Sequence, residues 1–133
     1  MTGLAMLCLR AIKHLVTARF QHHNFHTNDV DGRNTRAQLQ GRSPANAHSL
    51  DRNMVLELSW VLPRVAYRMP FRSDCLVQAM AAQDWLLEQG IASSIVIGVV
   101  GGEGRAFESH AWLTYGREIV TGGDVEAYRP ILG

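Results

Sequence analysis

The chain has 133 residues, of which 47% are hydrophobic and 19% charged, and its formal net charge at pH 7 is +1. This length suits one domain with a substantial core, and the near-neutral charge argues against a nucleic-acid footprint or an acidic partner. Two cysteines, Cys8 and Cys75, are too few for a disulfide framework, so we expect a reducing, cytoplasmic location.

The first predicted element is an amphipathic helix over residues 4–20. Its basic residues and His14 lie largely away from one apolar stripe, and we expect that stripe to cover the core rather than dock a partner or lie on a membrane. The stripe consists of Leu4, Leu7, Cys8, Ala11, Ile12, Leu15 and Val16.

Residues 21–50 are rich in Gln, His, Asn, Asp, Gly, Arg and Ser. Such a segment buries too little apolar surface to order itself, so we predict a long polar loop or mobile arm. His22, His23 and His26 suggest metal ligands, but no Cys, Asp or Glu joins them at ligand spacing, so we expect no metal. The N-terminal part, 1–50, precedes a core at 51–133 within one structural domain.

Order returns at Leu50, where Ser49 or Asp51 can cap a helix. Apolar residues then recur at helical spacing up to Leu62. Pro63 falls inside this pattern, so we expect it to kink or divide the helix.

The strongest helix signal begins at Asp74 and ends at Gly90. An aspartate before a helix accepts its first free N–H groups, and a glycine suits the left-handed residue just past the end. The expected inward face consists of Leu76, Ala79, Met80, Gln83, Leu86 and Leu87. Cys75 falls on the first turn, where the positive end of the helix dipole favours a thiolate over a thiol.

After Gly90 the pattern becomes typical of strands. Helices followed by antiparallel strands indicate an α+β fold, with one small sheet packed on the cysteine helix. The tail after residue 124 is not assigned a strand. The predicted pieces are a strand at 91–100, a glycine-rich connection at 101–105, a strand at 106–115, a turn at 116–117 and a strand at 118–121.

Three residues in this arrangement suggest chemistry. The third strand returns its far end towards His110, so Asp124 should lie nearly opposite that histidine. The carboxylate can hold one imidazole nitrogen while the other faces the Cys75 thiol, as nucleophile, base and orienting acid do in cysteine hydrolases. The backbone N–H of Cys75 is a natural oxyanion donor, and the second donor stays open. Simpler interpretations also stand, with Cys75 a buried structural thiol and His110 a packed strand residue.

Five blocks of the sequence stand out in this order: Pro70-Phe-Arg-Ser-Asp-Cys-Leu-Val-Gln-Ala-Met-Ala, Gly90-Ile-Ala, Val96-Ile-Gly-Val, Ser109-His-Ala-Trp-Leu and Val120-Thr-Gly-Gly-Asp. Together they resemble one family, the leader peptidases of lasso-peptide biosynthesis, which are the B-type maturation proteins of the transglutaminase-like superfamily. The resemblance covers about residues 50 to 132, and its Cys-Leu and His-Ala-Trp blocks are fairly specific as an ordered pair.

The resemblance implies a papain-like fold and a Cys-His-Asp triad that cleaves the leader from a precursor peptide. The family's cysteine falls on Cys75 and its histidine on His110. Asp124 is the later aspartate available as the acid, although some relatives carry the acid nearer the histidine, where this chain has Gly122. Two glutamates, Glu118 and Glu126, are the fallback carboxylates.

The resemblance also implies partners. Residues 1–50 lack a strand-rich leader-binding module, so a separate small leader-binding protein should deliver the precursor to this stand-alone peptidase. A separate ATP-dependent macrolactam cyclase should then use the freed amino terminus. No metal, organic cofactor, nucleic acid or membrane contact is expected. Two alternatives stay open: acyl transfer to an amine by the same triad, and a non-catalytic scaffold that presents the precursor to the cyclase.

Overall fold

The computed structural model describes residues 3–22, 29–70 and 74–133. Within these ranges four α-helices precede a four-stranded sheet. The elements are α1 (Leu4–His22), α2 (Asp29–Gln40), a 3₁₀ turn (Pro44–Asn46), α3 (Asp51–Tyr67), α4 (Cys75–Glu88), β1 (Ser94–Gly102), β2 (Arg105–Tyr115), β3 (Glu118–Thr121) and β4 (Arg129–Leu132). His23, His26 and the side chain of His22, which entered the metal interpretation, lie outside the described residues.

The sheet is antiparallel, with strand order β3-β2-β1-β4. Its long central pair, β1 and β2, brings Gly98 opposite His110. The short β2–β3 hairpin begins with Tyr115 opposite Glu118. Alternate residues of β2 join the helices in one hydrophobic core. The predicted α+β fold, with the sheet packed against the cysteine helix, is therefore confirmed.

Helix α4 lies at the centre of the core. Its start is capped by Asp74, whose carboxylate accepts the Val77 N–H at 3.0 Å, and Gly90 just past its end has φ +76°. The helix is buried over most of its circumference, not along one face, because α1, α3 and the sheet all pack on it. Trp85, outside the predicted face, is fully buried.

Helix α1 forms as predicted, but its inward face is rotated from the predicted stripe. Leu4 is 58% exposed, whereas His14 is buried at 6%. The His14 ring stacks on Trp85 with 5.9 Å between ring centroids. Placing His14 on the polar side was therefore wrong, because its flat ring packs like an aromatic residue.

The prediction of a loop over 21–50 is wrong for α2. This helix buries only small apolar side chains, Val30 and Ala37. Its attachment is polar: Asn34 donates to the Ile95 carbonyl at 2.9 Å and accepts the Ile95 N–H at 2.8 Å. Arg33 donates to Asp84 at 2.7 Å. Hydrogen bonds to β1 and α4 thus hold a segment whose composition has few large apolar residues.

Helix α3 continues unbroken through Pro63, so a division of the helix at this residue is wrong, whereas the alternative, a kink, stays a prediction. Buried residues lie on both sides of the proline, among them Leu58, Leu62 and Ala66. Their packing outweighs the cost of about 3 kcal/mol for a proline in a helix interior.

The C-terminal tail forms strand β4, which the sequence reasoning did not assign. It pairs with β1 through Val99 opposite Arg129 and Gly98 opposite Pro130. A proline is tolerated there because β4 lies at the sheet edge. In the part of the chain that the structure describes, no helix has the length and apolar character needed to cross a membrane.

Candidate functional site

A cavity of about 460 Å³ opens where the start of α4 meets α3 and the β2–β3 hairpin. It contains both Cys75 and His110, the predicted nucleophile and base. Asp124 is not among the described residues of its wall. The wall consists of Ser59, Pro63, Cys75, Gln78, His110, Ile119, Val120, Thr121, Gly122 and Gly123.

Cys75 is the first residue of α4 and is half-buried. The Asp74 carboxylate accepts the N–H of Val77, the third helical residue. The N–H groups of Cys75 and Leu76 precede it in the same turn, where a helix provides no internal acceptor. These N–H groups and the positive helix end can stabilise an oxyanion that forms beside the sulfur.

His110 is held by the backbone of the turn after β3. Its Nε2 lies 2.7 Å from the carbonyl oxygen of Gly122. A carbonyl can only accept a hydrogen bond, so Nε2 carries the hydrogen and Nδ1 is the acceptor of the neutral ring. The rings of Trp112 and Tyr128 pack against the imidazole, at 6.0 and 5.0 Å between centroids.

This hydrogen bond depends on a glycine at position 122. Gly122 has φ +108°, and a Cβ there would lie 2.4 Å from the Trp112 Cβ and 3.2 Å from the His110 Nε2. Both the backbone conformation and the crowding exclude a larger residue. Glycine therefore allows the carbonyl to approach the imidazole.

Two of the three candidate acids have other partners, and the third, Glu126, is exposed. Asp124 is exposed, and its carboxylate accepts the Glu126 N–H at 3.1 Å. Glu118 accepts from the Arg52 guanidinium at 2.7 Å, which ties α3 to β3. A backbone carbonyl thus occupies the position beside His110 that the sequence reasoning gave to a carboxylate. The catalytic role of Asp124 stays a prediction.

Among the described residues, no hydrogen bond joins Cys75 to His110. The two share one cavity wall, and catalytic hydrogen bonds commonly tighten only when substrate is bound.

Sequence reasoning missed three polar residues of this wall: Ser59, Gln78 and Thr121. Gln78 follows Cys75 by three positions on one helix, so helical spacing signals that the two are neighbours. Thr121 is buried at 3%, and its Oγ1 has no hydrogen-bond partner among the described residues. Ser59 has no local signal, because its contact with the site arises from the packing of α3.

The described residues contain no group of three or more His, Cys, Asp or Glu side chains able to hold a metal ion. What the cavity does contain is a thiol at a helix start, a histidine of defined tautomer and nearby N–H donors. This set of groups suits acyl transfer through a covalent thioester.

Comparison with known proteins assigns the chain to a family. A family model described as the Transglutaminase-like superfamily matches residues 15–133, so the chain belongs to this superfamily. Cysteine protease and acyltransferase activities are common in it. No curated protein and no solved structure matches the chain.

Proposed function

We propose that the chain is a cysteine peptidase that removes the leader from a ribosomally made lasso-peptide precursor. The observation that carries the proposal is the cavity shared by Cys75 and His110. The superfamily supports thiol-based acyl chemistry, and the blocks around the two residues support the lasso-peptide substrate.

The proposed reaction begins with proton transfer from the Cys75 thiol to Nδ1 of His110. The thiolate attacks the carbonyl carbon of the last leader residue, and the Cys75 N–H stabilises the oxyanion. The imidazolium gives its proton to the leaving amine, which is the new amino terminus of the core peptide. Water, deprotonated by His110, then hydrolyses the thioester and releases the leader carboxylate and the free thiol.

The carbonyl of Gly122 orients His110 throughout this cycle. Because it accepts the Nε2 hydrogen, it selects the tautomer in which Nδ1 is basic. In this proposal Asp124 acts as the orienting acid only if its carboxylate leaves the Glu126 N–H and reaches the ring.

The proposed setting is cytoplasmic, with no metal or organic cofactor. A separate small leader-binding protein delivers the precursor, and a separate macrolactam cyclase uses the freed amine. These partners are inferred from the family resemblance.

The test uses the short peptides encoded beside this gene, together with any small leader-binding protein encoded there. Each peptide is incubated with the chain in H₂¹⁸O, and the products are identified by mass spectrometry. We expect a free leader with ¹⁸O in its new carboxylate, and we expect Cys75→Ala to bind the precursor without cleaving it. Leu39→Ala, at an exposed side chain outside the Cys75 cavity and its neighbouring concavity, is the control and should cleave normally.

Two outcomes would contradict the proposal. A leader joined to an added amine and lacking ¹⁸O would indicate acyl transfer. Precursor binding by the unmodified chain with no cleavage under any of these conditions would indicate a scaffold.

A further inference from the structure

Pro63 leaves one carbonyl of α3 without its usual partner. It lies inside the helix and has no N–H, so the carbonyl of Ser59, four residues earlier, has no donor at the helical position. The next carbonyl, that of Trp60, accepts from the Arg64 guanidinium at 2.8 Å. Ser59 and Pro63 both belong to the wall of the Cys75 cavity. The proline therefore leaves a backbone acceptor without its helical donor on a residue of the cavity wall.

A second concavity begins on the other side of the same proline. This apolar groove, about 670 Å³, lies between α1 and the C-terminal half of α3, and Pro63 belongs to its wall as well. Its side chains include Leu4, Trp60 and Tyr67, which are 58%, 52% and 92% exposed. Large apolar side chains exposed together on a concave surface are typical of a binding groove.

The charged side chains in the described wall of the apolar groove are all positive. Arg64 and Arg68 belong to its wall, whereas none of the described wall residues is Asp or Glu. The Arg64 guanidinium lies 4.2 Å from the centre of the Trp60 ring, which forms a cationic edge beside an apolar surface. An apolar segment with an acidic residue complements this arrangement. A concave surface suits a peptide better than a bilayer, which takes up protruding apolar side chains.

We propose that the substrate peptide runs in an extended conformation from Cys75 across Pro63 into the apolar groove, with the Ser59 carbonyl accepting one of its backbone N–H groups. The groove takes apolar side chains of the peptide, and Arg64 and Arg68 attract a nearby carboxylate. This inference rests on the proposed peptidase function, because it places the substrate of that reaction.

The backbone contact is tested with an N-methyl scan on the Cys75→Ala chain. The probe is a fluorescein-labelled dodecapeptide of Leu, Glu and Gly, prepared as a series with one methylated amide in each member. Fluorescence anisotropy should show one amide at which methylation weakens binding about tenfold, because a single hydrogen bond is lost. Equal tolerance of methylation at every amide would overturn the inference, and this measurement needs no further variant to fold.

Pro63→Ala, made in the same background, gives a paired result. It restores the helical N–H and so occupies the Ser59 carbonyl. We expect Tm to rise by roughly 3–8 °C and the dodecapeptide to bind about tenfold more weakly, with no remaining penalty at the sensitive amide. Pro44→Ala, in an exposed turn, should leave affinity unchanged. A methylation penalty that persists in Pro63→Ala would overturn the backbone contact.

The contact between the apolar groove and the peptide is tested by changing one side chain of the groove and, separately, the Leu or Glu residues of the peptide. Trp60→Ala, or Ser in place of each peptide Leu, should weaken binding at least tenfold, whereas Phe107→Ala, at an exposed aromatic outside the groove, should not. Lys in place of Glu should also weaken binding. Two other occupants of the groove are tested with the same variant. If the chain forms a dimer in sedimentation or binds vesicles of anionic phospholipid, and Trp60→Ala abolishes that dimer or that vesicle binding, the peptide assignment is overturned.

The two proposals can fail separately. All of these affinities are measured on Cys75→Ala, so they do not depend on catalysis. Groove binding without cleavage by the unmodified chain would contradict the peptidase function alone. Cleavage that is insensitive to Trp60→Ala and Pro63→Ala would contradict the substrate path alone.

Discussion

His110 donates its Nε2 hydrogen to the carbonyl oxygen of Gly122 across 2.7 Å. A neutral carbonyl fixes the orientation and tautomer of the ring as a carboxylate would, but it stabilises an imidazolium less because it carries no full charge. In the proposed reaction, stabilisation of the negative charge by the N–H groups and dipole at the start of α4 therefore matters more than it would beside a histidine held by a carboxylate.

Gly122→Ala should reduce the proposed peptidase activity at least 100-fold, because the added Cβ displaces the carbonyl that orients His110. It should also destabilise the fold by about 2 kcal/mol or more, since φ +108° is unfavourable for alanine. Gly104→Ala is the matched control: Gly104 also has a positive φ, +90°, a Cβ there meets nothing within 4 Å, and the residue is not part of the wall of the Cys75 cavity. It should cost about 1 kcal/mol and leave kcat/KM within about threefold. Equal activity losses would argue against the carbonyl's role.

Asp124→Asn should lower kcat/KM less than about tenfold, since the carboxylate is exposed and bonded to the Glu126 N–H rather than to His110. In a serine-protease triad the same change costs about 10⁴ in kcat. Steady-state kinetics on a precursor that the chain cleaves distinguish a loss below tenfold from a loss near 10⁴. A loss near 10⁴ would show that Asp124 reaches the ring during turnover and would restore it as the orienting acid.

Gln78→Ala should lower kcat by about 10- to 1,000-fold with little change in KM. Gln78 belongs to the wall of the Cys75 cavity, one helical turn from Cys75, and we infer that its amide turns to the developing oxyanion when substrate is bound. Gln40→Ala, at an exposed position on α2, is the control and should be silent. A Gln78 effect confined to KM would instead indicate ground-state binding.

Asp51→Asn should destabilise the fold by about 1–3 kcal/mol at pH 7, with an effect that fades in acid. The Arg42 guanidinium donates to this carboxylate at 2.8 and 3.0 Å and holds the pKa of Asp51 below its ordinary value. A carboxylate whose pKa is lowered in the folded state stabilises the fold fully at pH values above its unfolded pKa, which is about 3.9. This stabilisation is lost as the pH falls through the pKa of the folded state.

Urea unfolding between pH 7 and pH 3 measures this dependence. The difference between the unmodified chain and Asp51→Asn should shrink as pH falls below about 4. Glu118→Gln breaks the more exposed Arg52 pair and should change stability by less than about 1 kcal/mol. A constant Asp51→Asn difference across the range would show that the ion pair is not its source.

The elements that sequence reasoning located are those specified by local signals. Helix α4 has its cap in Asp74 and its end in Gly90, and the strands are marked by β-branched runs. Helix α2 was missed because its attachment is remote: Asn34 bonds to Ile95, which lies 61 positions away. No local pattern reveals such a contact. Strand β4 was missed for the same reason, since its pairing with β1 is what defines it.

The candidate site, like the fold, could be predicted from the sequence only where its residues have local signals. A cysteine at a helix start and a histidine in a strand are visible in the sequence. The partner of His110 is not, because it depends on where the hairpin ends. Pairing stops at Thr121, and the positive φ values of Gly122 and Gly123 turn the chain before Asp124. The prediction that Asp124 lies opposite His110 counted residues from the 116–117 turn, and it assumed that β3 continues in one direction as far as Asp124.

The most direct measurement is the rate at which iodoacetamide modifies each cysteine, followed by mass spectrometry from pH 5 to pH 9. Cys8 and Cys75 are both free and half-buried, so Cys8 is an internal control for access. If Cys75 is a nucleophile paired with His110, it should react well ahead of Cys8 at pH 7, and His110→Ala should slow it at least tenfold. Equal rates for the two cysteines, or a Cys75 rate unchanged in His110→Ala, would contradict the account.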